Sequence, residues 1–141
     1  MKLDNVFGIA GTALNAQTIR MNTTASNLAN ASTVSGSEQE AYRAKRPVFK
    51  ALVNEEMTHA GAPYVGGVKV DRIVNDPTPV RKAWDPGNPM ADKDGFVYRS
   101  NVNEMSEMVD MMDASRSYQN NVEVINTARQ LISRTLDILK A

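Results

Sequence analysis

Residues 101–140 read NVNEMSEMVDMMDASRSYQNNVEVINTARQLISRTLDILK, and this stretch decides the fold. Met111, Tyr118, Ile125, Ile132 and Leu139 recur within it every seventh residue, the interval at which one stripe of an α-helix returns to a partner helix. The tetrapeptide Asn101-Val102-Asn103-Glu104 has the form of a capping box, so a helix is predicted from Asn101 to about Lys140. At about 1.5 Å per residue such a helix is a rod of roughly 60 Å, more than a compact domain of this length could cover by itself. Part of it is therefore expected to meet another chain. Glu104, Glu107, Asp110 and Asp113 fill the first turns while Arg129, Arg134 and Lys140 lie toward the end, as the helix dipole favours.

The other end of the chain repeats the interval. Phe7, Leu14, Met21 and Leu28 predict a helix from about Asn5 to Asn30, capped by Asp4, with Ala10, Gly11, Thr18 and Ala25 small enough to allow close helix approach. Two seams of equal spacing are expected to pair, antiparallel or steeply crossed. The predicted helix–helix interface is Phe7, Leu14, Met21 and Leu28 with Tyr118, Val122, Ile125, Ile132, Leu136 and Leu139. The remaining face of the first helix is polar but almost uncharged: residues 1–37 hold only Lys2, Asp4 and Arg20, and ten of residues 21–37 are Asn, Ser or Thr. A solvated helix would carry more Lys and Glu, so this face is expected to pack against polar protein groups. Lys2 before the apolar run Val6 to Leu14, and the small residues Ala29-Asn30-Ala31, resemble a secretory signal. Asp4, Gly8, Gly11 and Thr12 argue against it, and the segment is expected to be retained.

Between the helices the chain changes period. Ala44 to Val53, Val65 to Val74 and the alternating Val80, Lys82 and Trp84 read as strands, bounded by Pro77, Pro79, Pro86 and Pro89. Asp94-Gly95 before Phe96-Val97-Tyr98 is a hairpin-turn signal. The fold class is α+β: long N- and C-terminal helices paired in a coiled-coil-like layer, with a small β-rich middle part. The expected division is 1–37, helix and polar motif; 38–100, β-rich part; and 101–141, C-terminal helix.

Composition removes most chemistry. Sixteen basic and 16 acidic residues cancel, so no net field would draw the chain to nucleic acid or an anionic membrane. Absence of cysteine excludes disulfides, thiolate metal sites and cysteine nucleophiles, and no apolar run approaches the roughly 18–20 residues of a spanning helix. His59, the only histidine, stands in a polar stretch without triad partners. Asp92-Lys93-Asp94-Gly95 has the look of a calcium loop, but Met90 and Asn101 occupy the first and twelfth ligand positions, and a turn explains the same residues. Gly66-Gly67 lacks the Lys-Ser/Thr of a phosphate loop. Arg43, Lys45, Arg46 and Lys50, interleaved with Tyr42 and Phe49, are flanked by Glu38, Glu40, Glu55 and Glu56, and read as an interface or a solvated strand edge rather than a nucleic-acid strand. No catalytic, cofactor or metal residue is expected. Met105, Met108, Met111 and Met112 suit adaptable contacts. These features leave three readings: an assembly subunit, a small β-domain binding module on a helical stalk, and a hydrolase using carboxylates of the middle.

Two longer motifs separate them. Asn27-Leu28-Ala29-Asn30-Ala31-Ser32-Thr33 resembles the N-terminal signature of the bacterial flagellar rod and hook proteins. Ala114 to Thr127, with Arg116, Tyr118, Gln119 and Asn121, resembles their C-terminal signature. Ala41-Tyr42-Arg43-Ala44-Lys45, the segment Asp85 to Asp92, and the residues Ser37 to Ala41 inserted after Gly36 are similar to the proximal-rod type of this axial family. The resemblance implies a non-enzymatic subunit of the rod in the periplasmic part of the basal body, exported without a cleaved signal. The implied partners are proximal and distal rod proteins, the adaptor joining rod to MS ring, and the flagellar type III export apparatus. It further implies paired terminal helices lining the export channel, and no cofactor.

Overall fold

The computed structural model describes residues 3–52 and 66–140. Helix α1 spans Leu3–Ala29 and helix α2 spans Glu104–Lys140. Between them run β1 (Val34–Ser35), β2 (Lys45–Ala51), β3 (Val68–Asn75), β4 (Arg81–Trp84) and β5 (Phe96–Arg99). The long helices and the short strands between them make the fold α+β.

The chain divides into two compact units, each drawn from segments far apart in sequence. The first comprises Met1–Ile19, Val48–Arg72 and Asp113–Ala141; the second comprises Arg20–Pro47 and Ile73–Met112. In the second unit β5 lies between β1 and β4, antiparallel to both, with Val34 opposite Arg99, Lys82 opposite Tyr98 and Trp84 opposite Phe96. Strands β2 and β3 form a separate two-stranded sheet. Its ends are marked by Asp76 N–H donating to Ala44 O (2.7 Å) and Leu52 N–H to Gly67 O (2.9 Å), which makes the pair antiparallel.

Small residues form the core. Of the buried apolar side chains among the described residues, seven are alanines (positions 10, 16, 31, 41, 44, 114 and 128), joined by Val97 and Val102. Alanine removes little apolar area from water, so such a core lets backbones approach closely while adding modest stability. In the second unit Ala31, Ala44 and Val102 pack together under Tyr42. In the first, close approach is enforced at Gly67. A Cβ there would stand 2.7 Å from Thr12 Oγ1, at a φ of +137° that favours glycine. Thr12 Oγ1 also accepts the Val68 N–H at 3.2 Å. Gly66-Gly67 is thus a close-packing device.

Two local expectations change. Helix α2 begins at Glu104, capped by Asn103 rather than Asn101: Asn103 Oδ1 accepts the Ser106 N–H at 3.2 Å. Asn101 is used elsewhere, its Oδ1 accepting Ala44 N–H (2.7 Å) and its amide donating to Thr78 O (2.7 Å). The turn at Asp94-Gly95 exists, with Gly95 at φ +79° and its N–H donated to Asp92 O (3.0 Å). It closes the longer connection 85–95 rather than a two-residue hairpin, because Pro86 and Pro89 stop β4 from continuing. Asp92 Oδ1 accepts the N–H groups of Asp94 and Phe96, so the residues with the look of a calcium loop build a turn. His59 lies outside the described residues.

Candidate assembly interface

The second unit is organised by a fully used amide. Asn27, near the end of α1, is wholly buried. Its Nδ2 donates to Lys45 O (2.9 Å) and Glu107 Oε2 (3.0 Å), while its Oδ1 accepts Lys45 N–H (2.8 Å) and Tyr42 O–H (3.0 Å). Two donors and two acceptors exhaust what an asparagine offers. Toward Lys45 the side chain behaves as a strand neighbour would, meeting both backbone groups of one residue. Asn30 and Thr33 close the helix end: Asn30 Nδ2 donates to Ser26 O (2.8 Å) and Thr33 Oγ1 to Asn30 O (2.7 Å).

A cluster of charges lies beside Asn27. Glu107 is fully buried, and its Oε1 stands 2.8 Å from Arg46 Nη1, an ion pair rather than a well-aligned hydrogen bond. Arg46 also reaches Asp110 (3.2 Å) and Asp76 (3.7 Å), and Arg20 reaches Asp110 at 3.1 Å. Going from Asn27 back to Arg20 on α1 corresponds to going from Glu107 forward to Asp110 on α2, so the helices run antiparallel here. The bases that answer the acidic start of α2 therefore come from α1 and β2. Of the basic cluster Arg43, Lys45, Arg46 and Lys50, Arg46 serves this network, and Arg43, just before β2, binds Glu38 (3.4 Å) and Thr78 O (3.2 Å). Hydrogen bonds from the Thr78 hydroxyl and N–H, with help from Arg46, hold the Asp76 carboxyl below the usual carboxylate range against the opposing pull of burial.

Along α2 the covered row is Glu107, Met111, Ala114, Tyr118, Asn121, Ile125, Ala128 and Ile132, in alternating steps of four and three. Tyr118, Val122, Ile125 and Ile132 are half-buried, as are Phe7, Leu14, Met21 and Leu28 on α1. Leu136 is 50% exposed, and the side chain of Leu139 lies outside the described residues. Ala114, Asn121 and Ala128, which sequence reading passed over, are the small members that let the row pack closely. Asn121 donates to its own helix at Ser117 O (2.8 Å). Of the two motifs, Asn27, Asn30 and Thr33 are used inside the chain and Leu28 is half-buried, whereas Ala29, Arg116 and Gln119 are exposed.

What faces outward differs between the helices. From residue 5 onward the exposed positions of α1 are Gly11, Asn15, Asn22, Ala25 and Ala29, without a charge among them. Helix α2 exposes Met105, Met108, Val109 and Met112 at its start, then Val124, Leu131 and Ile138, seven residues apart, along a second apolar row. Among the described residues no three His, Cys, Asp or Glu side chains group as a metal ion would require, and no helix is long and apolar enough to cross a membrane.

Comparison with known proteins agrees with this layout. Residues 7–36 match the family described as "Flagella basal body rod protein", and residues 93–138 match "Flagellar basal body rod FlgEFG protein C-terminal". The chain is 46% identical to the flagellar basal-body rod protein FlgC of Yersinia enterocolitica and 45% identical to that of Salmonella typhimurium, each over 98% of both chains. It is 43% identical to FlgC of Buchnera aphidicola subsp. Schizaphis graminum, again over 98% of each.

Proposed function

The chain belongs to the FlgC family of flagellar basal-body rod proteins and is a structural subunit of that rod, and from this premise we propose that it is a proximal-rod subunit acting through surfaces rather than catalysis. Its terminal helices would repeat in a helical array with other rod proteins, surround the export channel and pass torque through contacts that recur without closing. The observation that supports this best is α2: the covered row fades after Ile132, while Val124, Leu131, Leu136 and Ile138 stand exposed. A solitary soluble chain gains nothing from such rows, whereas a neighbour's helix can bury them.

On this reading the seam residues Phe7, Leu14, Met21, Leu28, Tyr118, Val122, Ile125, Ile132, Leu136 and Leu139 supply cohesion within and between subunits. Segment 38–100 sets the choice of neighbour, and exposed Arg116 and Gln119 meet adjacent subunits. Other rod proteins, the adaptor toward the MS ring and the type III export apparatus are the partners, with delivery to the periplasmic space without a cleaved signal. The test is a strain lacking this chain, complemented with the natural sequence or with Leu131→Asp, scored for motility and for rods in purified basal bodies. Rods are expected only with the natural sequence; complete rods and motility in the uncomplemented strain overturn the proposal.

A further inference from the structure

Trp84 is the only tryptophan of the chain, and it is 70% exposed. An indole carries a large apolar surface, and leaving it in water forgoes a sizeable stabilisation. It stands at the end of the β4–β5 pair. Trp84 faces Phe96 across the β4–β5 pair, and its Nε1 lies 3.4 Å from where a Cβ on Gly95 would stand. Lys82, two residues earlier on the same face, holds its ammonium 4.1 Å from the Phe96 ring and 5.6 Å from that of Tyr98. The face is thus aromatic with one cation.

The same unit carries a depression. An open cavity of about 570 Å³ lies between the start of β4 and the start of α2, walled by Thr78, Pro79, Arg81, Val102, Glu104 and Met105. Arg81 is fixed there, donating from Nε to Ser100 O (3.3 Å) and from Nη2 to Val102 O (3.0 Å), so its guanidinium is a planar wall on which an aromatic ring can stack. Met105, 72% exposed, supplies a polarizable flank. Glu104 at the rim carries the charge opposite to Lys82, and its carboxylate accepts a long hydrogen bond from Ser32 Oγ at 3.4 Å.

The cavity is roomy enough to admit an indole, and the Lys82 beside Trp84 carries the charge opposite to the Glu104 at its rim. We propose that Trp84 of one copy seats in the Thr78–Met105 cavity of a second copy, with Lys82 of the first facing Glu104 of the second. The proposal rests on the reading of the chain as an assembling rod subunit and adds which of its surfaces meet. Because the unit carries both halves of the contact, every added copy presents both again.

The test uses the full chain and the fluorescence of its sole tryptophan. As concentration rises, emission is expected to move to shorter wavelength in step with association followed by sedimentation. Met105→Glu would place a second carboxylate in the cavity and should abolish the shift. Trp84→Ala should weaken association by roughly thirtyfold, the effect of losing a central aromatic anchor. Lys82→Glu and Glu104→Lys should each weaken it by up to about fivefold, and the two together should restore it, as a charge pair requires; circular dichroism establishes that each variant is folded. Association with unshifted emission overturns the proposal and leaves the rod reading standing. A shift that appears only on adding a different rod protein also overturns it, assigning the cavity to another subunit. Failure to associate with either overturns both.

Discussion

At Asn27 an isosteric change is expected to be damaging. In Asn27→Asp a carboxylate oxygen would replace the amide that donates to Glu107 and to Lys45 O, turning two hydrogen bonds into two repulsions. A loss of about 3 kcal/mol in urea unfolding is expected. Arg46→Ala should be comparable, about 3–5 kcal/mol, because it strands the buried Glu107, and adding Glu107→Gln should recover most of that loss. Asp76 gives the pH dependence. Its carboxyl is lowered from 3.8 on folding, so as the medium is acidified the unfolded chain binds the proton first. Its contribution is complete above the ordinary carboxylate value and is lost as pH falls through the lowered folded value. Acid unfolding of Asp76→Asn should lack that component, and a variant that unfolds along the natural acid profile would refute the assignment. Asn27 was visible in the sequence as a motif residue, but its role was not: its partners Lys45 and Glu107 lie 18 and 80 positions away, beyond any local pattern.

The two faces of α2 should respond differently to charge. Ile125→Asp strikes the covered row and should lower the helicity and stability of the dilute protein. Leu131→Asp, on the exposed row, should leave the dilute protein unchanged and reduce only association. Amide exchange should follow the same gradient, with protection greatest near Glu107 to Tyr118 and weakest beyond Ile132. Uniform protection to the end of α2 in dilute solution would contradict it. Both helices and most strands were legible because the apolar period switches from seven to two and back, and prolines mark the changes. Strand β1 was not legible. Val34–Ser35 is only a strand because β5 runs beside it, and nothing in a two-residue segment announces that. The helix cap was misplaced by two residues because Asn101 and Asn103 are equally able to cap, and only the fold reveals that Asn101 is engaged by Ala44 and Thr78.

For the molecule as a whole, charge is concentrated in the middle of the chain. Segment 38–100 holds 19 of the 32 charged residues, and charge arrangement selects partners more than it adds affinity. Exchanging this segment for that of another rod protein should give a chain that still associates but occupies the wrong position or halts assembly; working flagella with the exchanged chain in its original place would put specificity in the helices instead. The two-unit organisation carries a consequence in time. Each unit closes a loop of the chain: Met1–Ile19 must wait for Asp113–Ala141, and Arg20–Pro47 for the stretch ending at Met112. A polypeptide delivered N-terminus first therefore stays unable to complete either unit until about four-fifths of it has arrived, and long loop closures of this kind fold slowly. Such a chain can travel a narrow conduit as an open thread and harden only on arrival, its own topology acting as the timer.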